Sequence, residues 1–231
     1  MNKSGNPYDF AVIFDMDGVV VDSNPFHRRA LLQFCHKHGY RLTEDQMKAK
    51  IFGRTNKEWL TDLLGGRITP NKIKEYEDEK ESQFRKDYAP HVKPIKGLIR
   101  FLGVLKRSNI KMALASSAPK LNVNFILKKT KTADCFETII DGDSIQNGKP
   151  HPEIYLKTAK AIGFIPQKCI VIEDSLSGVE AARKAGCKVL GITTTHSPQE
   201  LASTDLVIND FDEMDLENLR AMFEKFAALP D

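Results

Sequence analysis

The stretch Phe10-Ala11-Val12-Ile13-Phe14-Asp15-Met16-Asp17-Gly18 decides the fold of this chain. Its first five residues are an unbroken apolar run that favours β-structure, which predicts a strand buried on both faces of a parallel sheet. The run ends in two aspartates separated by one residue, and Gly18 allows the backbone to turn away without steric cost. In an open α/β sheet, ligands bind beyond the carboxyl ends of the strands, so both aspartates stand where chemistry is expected.

Short strand-like runs and helical patterns share most of the remaining chain. Further strands are predicted at 110–115, 138–140, 169–172, 189–192 and 206–208. Helical spacing of apolar residues occurs at 95–107, 119–129, 152–162 and 175–185. Because strands that alternate with helices pair in parallel, the chain is expected to form a Rossmann-like, doubly wound α/β sheet.

Residues 22–92 break this alternation. They contain helical patterns and no convincing strand, with Asn56 and Thr69-Pro70 as expected helix starts. The acidic run Glu75–Glu81 fits a solvated helix face. We therefore expect an all-helical cap domain inserted into an α/β core domain, the cap at 22–92 and the core at 1–21 and 93–231.

Composition excludes several classes of function. The 231 residues carry a formal net charge of +3, without the clustered basic excess expected of a nucleic-acid-binding protein. No apolar run reaches the roughly 18 residues that span a bilayer, and the first residues lack the pattern of a secretory leader. The four cysteines lie far apart without a C-x-x-C pair. We therefore expect buried thiols, a cytoplasmic location, and neither membrane nor nucleic acid as a partner.

Polar side chains lie at or after four predicted strand ends: Asp15 and Asp17, Ser116 and Ser117, Lys149, and Glu173 and Asp174. Parallel strands end at the same edge of a sheet, so all of these are expected in one crevice. Carboxylates gathered there repel one another unless a cation neutralises them, and oxygen ligands without histidine or thiol favour Mg²⁺. A cation, a lysine and hydroxyls together suit a phosphate, with one aspartate as nucleophile and the other as acid–base group.

Each piece alone has a simpler interpretation. The two aspartates can form an Asx turn, and the residues around Ser116 and Glu173 can cap helices. Lys149 can be an ordinary surface lysine. The occurrence of all four features in this order favours the functional interpretation.

These segments resemble the motifs of the haloacid dehalogenase (HAD) superfamily, in particular its β-phosphoglucomutase-like group. Phe14–Val19 is similar to the first motif and Leu114–Ser117 to the second. Gly148–Pro152 is similar to the third and Ile172–Ser175 to the fourth. The likeness extends from about residue 8 to residue 208.

The resemblance implies phosphoryl transfer to and from Asp15 as nucleophile, with Asp17 as acid and base. It implies that Ser116 binds the transferring phosphoryl group and that Lys149 bridges nucleophile and phosphate. Mg²⁺ would be held by the Asp15 carboxylate, the Asp17 backbone carbonyl and Asp174, with Glu173 close by. The resemblance also implies a small phosphorylated substrate and a monomeric protein.

The residues expected to bind the substrate differ from those of the mutase in that group. The mutase binds a second phosphate with a cap arginine and with a Ser-Lys-Asn run after the second motif. Asn56 stands at the arginine position here, and Ala118-Pro119-Lys120 replaces the run, in which Pro119 has no N–H to donate. His27 matches a cap-entry histidine, or is simply a histidine on a helix face. The remaining candidates for phosphate or substrate binding are Gly18, Ser117, Arg54, Lys57 and Lys120.

These departures favour a phosphatase that hydrolyses a small phosphorylated metabolite of the sugar phosphate type. One alternative is a β-phosphoglucomutase that interconverts β-glucose 1-phosphate and glucose 6-phosphate. A second is an inorganic pyrophosphatase or a phosphonatase, although Lys48, Lys50 and Lys57 lie in no recognisable Schiff-base context. An inactive HAD-like binding module is a third, and the complete set of motif residues argues against it.

Overall fold

A six-stranded sheet forms the centre of the protein, as seen in a computed structural model that describes residues 9–43, 46–47, 55–65 and 68–224. The strands are β1 (Ala11–Phe14), β2 (Met112–Ala115), β3 (Thr138–Ile140), β4 (Cys169–Glu173), β5 (Lys188–Ile192) and β6 (Leu206–Ile208). All pairings are parallel, in the order β3-β2-β1-β4-β5-β6. The expected doubly wound parallel sheet is confirmed.

The strand order changes direction at β1, which lies between β2 and β4. The register pairs Phe14 with both Leu114 and Ile172. These three strands therefore end side by side, and the residues that follow them meet at the switch point where open α/β sheets bind ligands.

Helices complete the fold. Those of the described ranges are α1 (Asn24–Lys37), α2 (Asn56–Leu63), α3 (Pro70–Tyr88), α4 (Leu98–Arg107), α5 (Lys120–Thr130), α6 (Glu153–Ile162), α7 (Leu176–Ala185) and α8 (Leu216–Glu224). Alternate residues of β1 face opposite sides of the sheet, as the two-residue period of a strand requires. Val12 and Phe14 pack with α4, α5 and α8, whereas Ala11 and Ile13 pack with α6 and α7.

The three helices α1–α3, here called the cap helices, follow β1 and precede α4. They share a separate apolar cluster built on Leu31, Phe34, Trp59 and Leu60. The helical character expected for this insertion is confirmed, while the domain boundaries at 22 and 92 stay a prediction.

Two details of the cap helices differ from expectation. Thr55, not Asn56, caps α2: its side chain accepts from the Glu58 backbone N–H, and the Glu58 carboxylate accepts from the Thr55 backbone N–H at 2.8 Å. The acidic run in α3 is not wholly solvated, because Lys80 and Glu81 are buried. Because a helix repeats every 3.6 residues, one face of a long helix is buried when other elements cover it, even if that face carries charged residues.

The four cysteines are free thiols, and three of them are buried. In the parts of the chain that the structure describes, no helix is both long and apolar enough to cross a membrane.

Candidate active site

Lys149 links the ends of two neighbouring strands. Its ammonium donates to Asp15 Oδ1 at 2.6 Å and to Glu173 Oε1 at 2.5 Å. Only 6% of Lys149 is exposed, so the surface-lysine interpretation is wrong. The two carboxylates hold the pKa of Lys149 well above its usual value although burial acts to lower it. A permanent positive charge therefore lies beside Asp15.

Glu173 is fixed by donors on every side. Beyond Lys149, its Oε1 accepts from the Tyr155 hydroxyl at 2.6 Å. Its Oε2 accepts from the backbone N–H groups of Asp174 and Ser175, both at 3.0 Å, and from the Ser175 hydroxyl at 2.9 Å. Burial acts to raise the pKa of Glu173, but Lys149 and these hydrogen bonds outweigh it and lower the pKa. Glu173 is thus an oriented carboxylate that stays ionised.

Asp174 is held from the cap side and by the loop after β5. Its Oδ2 accepts from the Thr195 hydroxyl and, at 3.1 Å, from the side-chain amide of Asn24, the first residue of α1. Gly18 lies directly against this carboxylate with a φ of +81°, and a Cβ at Gly18 would overlap it. Glycine is required here both for the left-handed backbone and for the close approach.

Asp15, Glu173 and Asp174 form a buried acidic cluster whose ligand oxygens lie within 4.8 Å of one another. Burial is the main reason that the pKa of Asp15 rises to about 8, and the charges of Glu173 and Asp17 add to it. Burial likewise raises the pKa of Asp174 well above its usual value. Since a bound cation would favour the charged carboxylates, and since all donors are hard oxygens, the cluster fits a divalent cation of the Mg²⁺ type.

Asp17 lies apart from that cluster and faces the cap. Its Oδ1 accepts a hydrogen bond from the Ser23 hydroxyl and lies 3.3 Å from His27 Nε2. Burial acts to raise the pKa of Asp17, but His27 and the two hydrogen bonds lower it overall. The side chain is about 20% exposed, as is that of His27, so a ligand can reach both.

The residues of the second motif lie at the end of β2, the strand that pairs with β1. The Ser116 hydroxyl accepts from the Ala118 backbone N–H at 3.1 Å, and the Ser116 backbone N–H donates to the Ile140 carbonyl oxygen. The Ser117 hydroxyl is buried and has no hydrogen-bond partner among the described residues. A buried hydroxyl without a partner carries a desolvation cost, so Ser117 retains a donor for an incoming group.

The structure does not gather all predicted substrate-binding residues. Lys57 and Lys120 are exposed, and their predicted roles stay predictions. The predicted role of Arg54 falls outside the described residues. The Asn56 amide donates to Glu81 at 2.7 Å and to Glu77 at 3.2 Å, and its oxygen accepts from the Trp59 indole at 3.0 Å. Its hydrogen-bonding capacity is therefore largely used within the cap helices.

Several residues of this site escaped sequence reasoning. Ser23 and Asn24 begin the cap insertion, Tyr155 lies in α6, and Thr195 follows β5. Only Thr195 had a usable signal, because Thr193-Thr194-Thr195 is a polar run directly after a predicted strand. The other three act through contacts that a local pattern does not reveal.

Comparisons with known proteins agree with this geometry. The sequence pattern of a family described as haloacid dehalogenase-like hydrolase matches residues 12–192. A phosphorylated carbohydrates phosphatase of Thermotoga maritima is 34% identical over 176 residues, which are 76% of this chain and 81% of that protein. The β-phosphoglucomutase of Bacillus subtilis is 30% identical over 94% of this chain and 96% of its own length.

The solved structure of a HAD hydrolase of family IA, variant 3, from Entamoeba histolytica superposes with a TM-score of 0.84 at 32% identity. The match covers 93% of this chain and 99% of that one. Three longer relatives from Arabidopsis thaliana are covered only in part, over 20% to 57% of their length. Since the family pattern spans most of the chain and includes the strand ends that build the site, the chain belongs to the haloacid dehalogenase-like hydrolase family.

Proposed function

We propose that this protein is a Mg²⁺-dependent phosphatase that hydrolyses a small phosphorylated metabolite by way of a phosphoryl group on Asp15. The observation that carries the proposal is the shared lysine: Lys149 is bonded to both Asp15 and Glu173, beside Asp174, at the edge where three strands end. A buried site that joins an ammonium group to carboxylates able to hold a divalent cation suits the transfer of an anionic phosphoryl group.

The reaction divides between two aspartates. An Asp15 oxygen attacks phosphorus, the bond from phosphorus to the leaving oxygen breaks, and Asp17 gives that oxygen a proton. Water then attacks the phosphoryl-Asp15, Asp17 takes the proton of that water, and inorganic phosphate leaves while Asp15 is restored. Lys149 stabilises the negative charge on the phosphoryl oxygens throughout, and the hydroxyls of Ser116 and Ser117 would donate to those oxygens.

The cation would be held by Asp15 and Asp174 and by the Asp17 backbone carbonyl, with Glu173 close by. When bound, it supplies positive charge to the phosphoryl oxygens and favours the ionised form of Asp15. The raised pKa of Asp15, about 8, supports a requirement for the cation, because an aspartate that is protonated at neutral pH is a poor nucleophile.

The cap side supports hydrolysis over mutase chemistry. A mutase must hold a second phosphate, whereas Asn56 here donates to the carboxylates of Glu77 and Glu81. Like charges close together repel, so these two carboxylates disfavour a phosphate at that position. The phosphatase named among the relatives acts on phosphorylated carbohydrates, which supports a sugar phosphate type of substrate. We further propose a monomer in the cytoplasm, a compartment that the four free cysteines support.

A phosphate-release screen tests the proposal. Sugar phosphates, nucleotides, pyrophosphate and phosphoglycolate are incubated with the protein in Mg²⁺ and after EDTA treatment, and β-glucose 1-phosphate is assayed for conversion to glucose 6-phosphate. We expect phosphate release from at least one monoester, loss with EDTA and recovery with Mg²⁺. Asp15→Asn should lower release by at least about 10³-fold, because an amide is a poor nucleophile.

The control variant is Asp134→Asn, which removes an exposed carboxylate just before β3, at the edge of the sheet opposite the site, and should retain wild-type turnover. Substantial turnover by Asp15→Asn would refute the covalent route. Conversion of β-glucose 1-phosphate without phosphate release would establish the mutase instead.

A further inference from the structure

Glu81 is a buried carboxylate of α3 that no step of the proposed reaction uses. Only 3% of it is exposed. It accepts hydrogen bonds from three side chains: Lys80 Nζ at 2.7 Å, Asn56 Nδ2 at 2.7 Å and Asn122 Nδ2 at 2.6 Å. A buried charge with this many donors is costly to form and has a defined orientation, which indicates more than a solvated helix face.

Asn122 makes this carboxylate a bridge between two parts of the fold. It lies in α5, which packs on the sheet, and its side chain is fully buried. Its Oδ1 accepts from Arg85 Nη1 at 2.6 Å while its Nδ2 donates to Glu81, so both ends of the amide are fixed by α3. The Glu81–Asn122 contact therefore exists only when α3 rests against α5.

From Glu81 a chain of contacts leads to the acid–base aspartate. Lys80 Nζ lies 3.5 Å from His27 Nδ1, and His27 Nε2 lies 3.3 Å from Asp17 Oδ1. An ammonium only donates, so Nδ1 is the acceptor and the ring proton is on Nε2, directed at Asp17. Phe84 stacks on the His27 ring at 3.7 Å between centroids and 9° between planes, which fixes the plane of the ring.

We propose that Glu81 is a positioning residue: it holds Lys80 so that His27 presents its N–H to Asp17, and Asn122 ties this arrangement to the packing of α3 on α5. The inference rests on the proposed phosphatase reaction. Asp17 is then aligned to give a proton to the leaving oxygen only when the cap helices rest on the core. Glu81 itself touches neither substrate nor phosphorus.

Leaving-group dependence separates this role from a merely structural one. Three esters of similar shape serve as probes: p-nitrophenyl, phenyl and benzyl phosphate, whose leaving groups range from a weakly basic phenolate to a strongly basic alkoxide. The ratio kcat/KM reports the first step, phosphoryl transfer to Asp15, and in that step only the basic leaving groups need a proton from Asp17. For Glu81→Gln we expect kcat/KM to fall about tenfold or more on benzyl phosphate but no more than about twofold on p-nitrophenyl phosphate, since well-placed general acids contribute about 10²–10⁴ in rate.

Glu79→Gln is the matched control. Glu79 lies two residues away on α3 and pairs with Lys37 and His38 within the cap helices. This variant should stay within about twofold of wild type on all three esters.

Asn122→Asp tests the same bridge from the core side. It keeps the shape and the acceptor for Arg85 but replaces the donor to Glu81 by a second carboxylate, so Lys80–Glu81 remains while the hydrogen bond to Glu81 is lost and the two carboxylates repel each other. The same loss on benzyl phosphate is expected, and this variant carries the test if Glu81→Gln does not fold. An equal loss on all three esters, or no loss, would overturn the positioning role while leaving the phosphatase intact. No release from any ester by the wild type would overturn the proposed function itself, and this inference with it.

Discussion

Asp15 and Asp17 are two residues apart and lie in opposite electrostatic surroundings. Burial and neighbouring carboxylates raise the pKa of Asp15 to about 8, whereas His27 and Ser23 lower the pKa of Asp17 against the effect of its own burial. In the protein alone, Asp15 has the higher pKa and Asp17 the lower one, which is the reverse of what a nucleophile and a proton donor need. In the proposed reaction, a cation beside Asp15 would favour the ionised form of Asp15, and a phosphate bound beside Asp17 would favour the protonated form of Asp17.

Replacing the second aspartate tests its role directly. Asp17→Asn should lower kcat/KM on an alkyl phosphate by about 10²–10⁴-fold, because an amide cannot give the leaving oxygen a proton. The loss in kcat/KM should be smaller on p-nitrophenyl phosphate, which a steady-state assay of phosphate release on both esters will show. Asp22→Asn, an exposed neighbour in the same segment, is expected to match wild type. Equal rates for wild type and Asp17→Asn on the alkyl ester would remove Asp17 from the mechanism.

At the scale of elements, the first turn of α7 is built around the Glu173 side chain. Ser175 caps this helix by accepting from the Gly178 backbone N–H at 3.1 Å. A Cβ on Gly178 would overlap the Glu173 carboxylate. Because Lys149, Tyr155 and Ser175 hold that carboxylate, it has little freedom to move aside.

Replacing two helical glycines by alanine should therefore change the free energy of unfolding in opposite directions. Gly178→Ala should lower the free energy of unfolding by about 1–3 kcal/mol, the usual cost of overpacking, and should reduce activity by displacing Glu173. In Gly103→Ala of α4, the new Cβ meets only the flexible end of the Arg107 side chain at 3.2 Å. This variant should raise the free energy of unfolding by about 0.5–1 kcal/mol. Urea unfolding of both variants measures the difference. A stabilised Gly178→Ala would show that Glu173 is not held as described.

For the molecule as a whole, several contacts near the site join the cap helices to the core. His27 lies beside Asp17, Asn24 bonds Asp174, and Glu81 bonds Asn122. A further contact lies at Gly148, where a Cβ would come within 2.8 Å of the Glu58 carboxylate. This closed arrangement covers the strand ends, and such closure excludes water from a phosphoryl-transfer site.

The Glu81 contact also makes the stability of the molecule depend on pH. Burial acts to raise the pKa of Glu81, but Lys80 and hydrogen bonds lower it from 4.5 to about 2. A lowered pKa in the folded state stabilises the protein above about pH 4.5, and that contribution is lost as the pH falls toward 2. A shift of this size corresponds to about 3 kcal/mol at most.

Urea unfolding at pH 6 and pH 3 measures this contribution. The difference in unfolding free energy between wild type and Glu81→Gln should shrink by about 2 kcal/mol at pH 3, because glutamine does not titrate. Glu217→Gln on α8, an exposed position, should keep a constant difference from wild type. A pH-independent difference for Glu81→Gln would show that the buried carboxylate is not stabilised in its charged form.

Much of the core could be predicted from sequence because its signals are local. An apolar run such as Phe10–Phe14 is buried in almost any parallel sheet, and residues directly after it are placed by the strand itself. Asp15, Asp17, Ser116, Glu173 and Asp174 can therefore be predicted from the sequence, whereas Lys149, in the connection between β3 and α6, is predicted from the resemblance of its motif. Thr55 was missed as a helix cap because Asn56 beside it is an equally good capping residue, and propensity does not choose between neighbours.

The sequence by itself determined which chemistry stands at the strand ends, because strand direction and the two-residue period place those side chains. The tertiary structure alone decided which charges are buried and which residues they face. Glu81 and Asn122 are 41 residues apart and belong to a helix of the cap and a helix of the core. Their contact depends on how two helices pack, and no local pattern encodes that packing, so an acidic run that predicts a solvated face contains the carboxylate that joins the two parts.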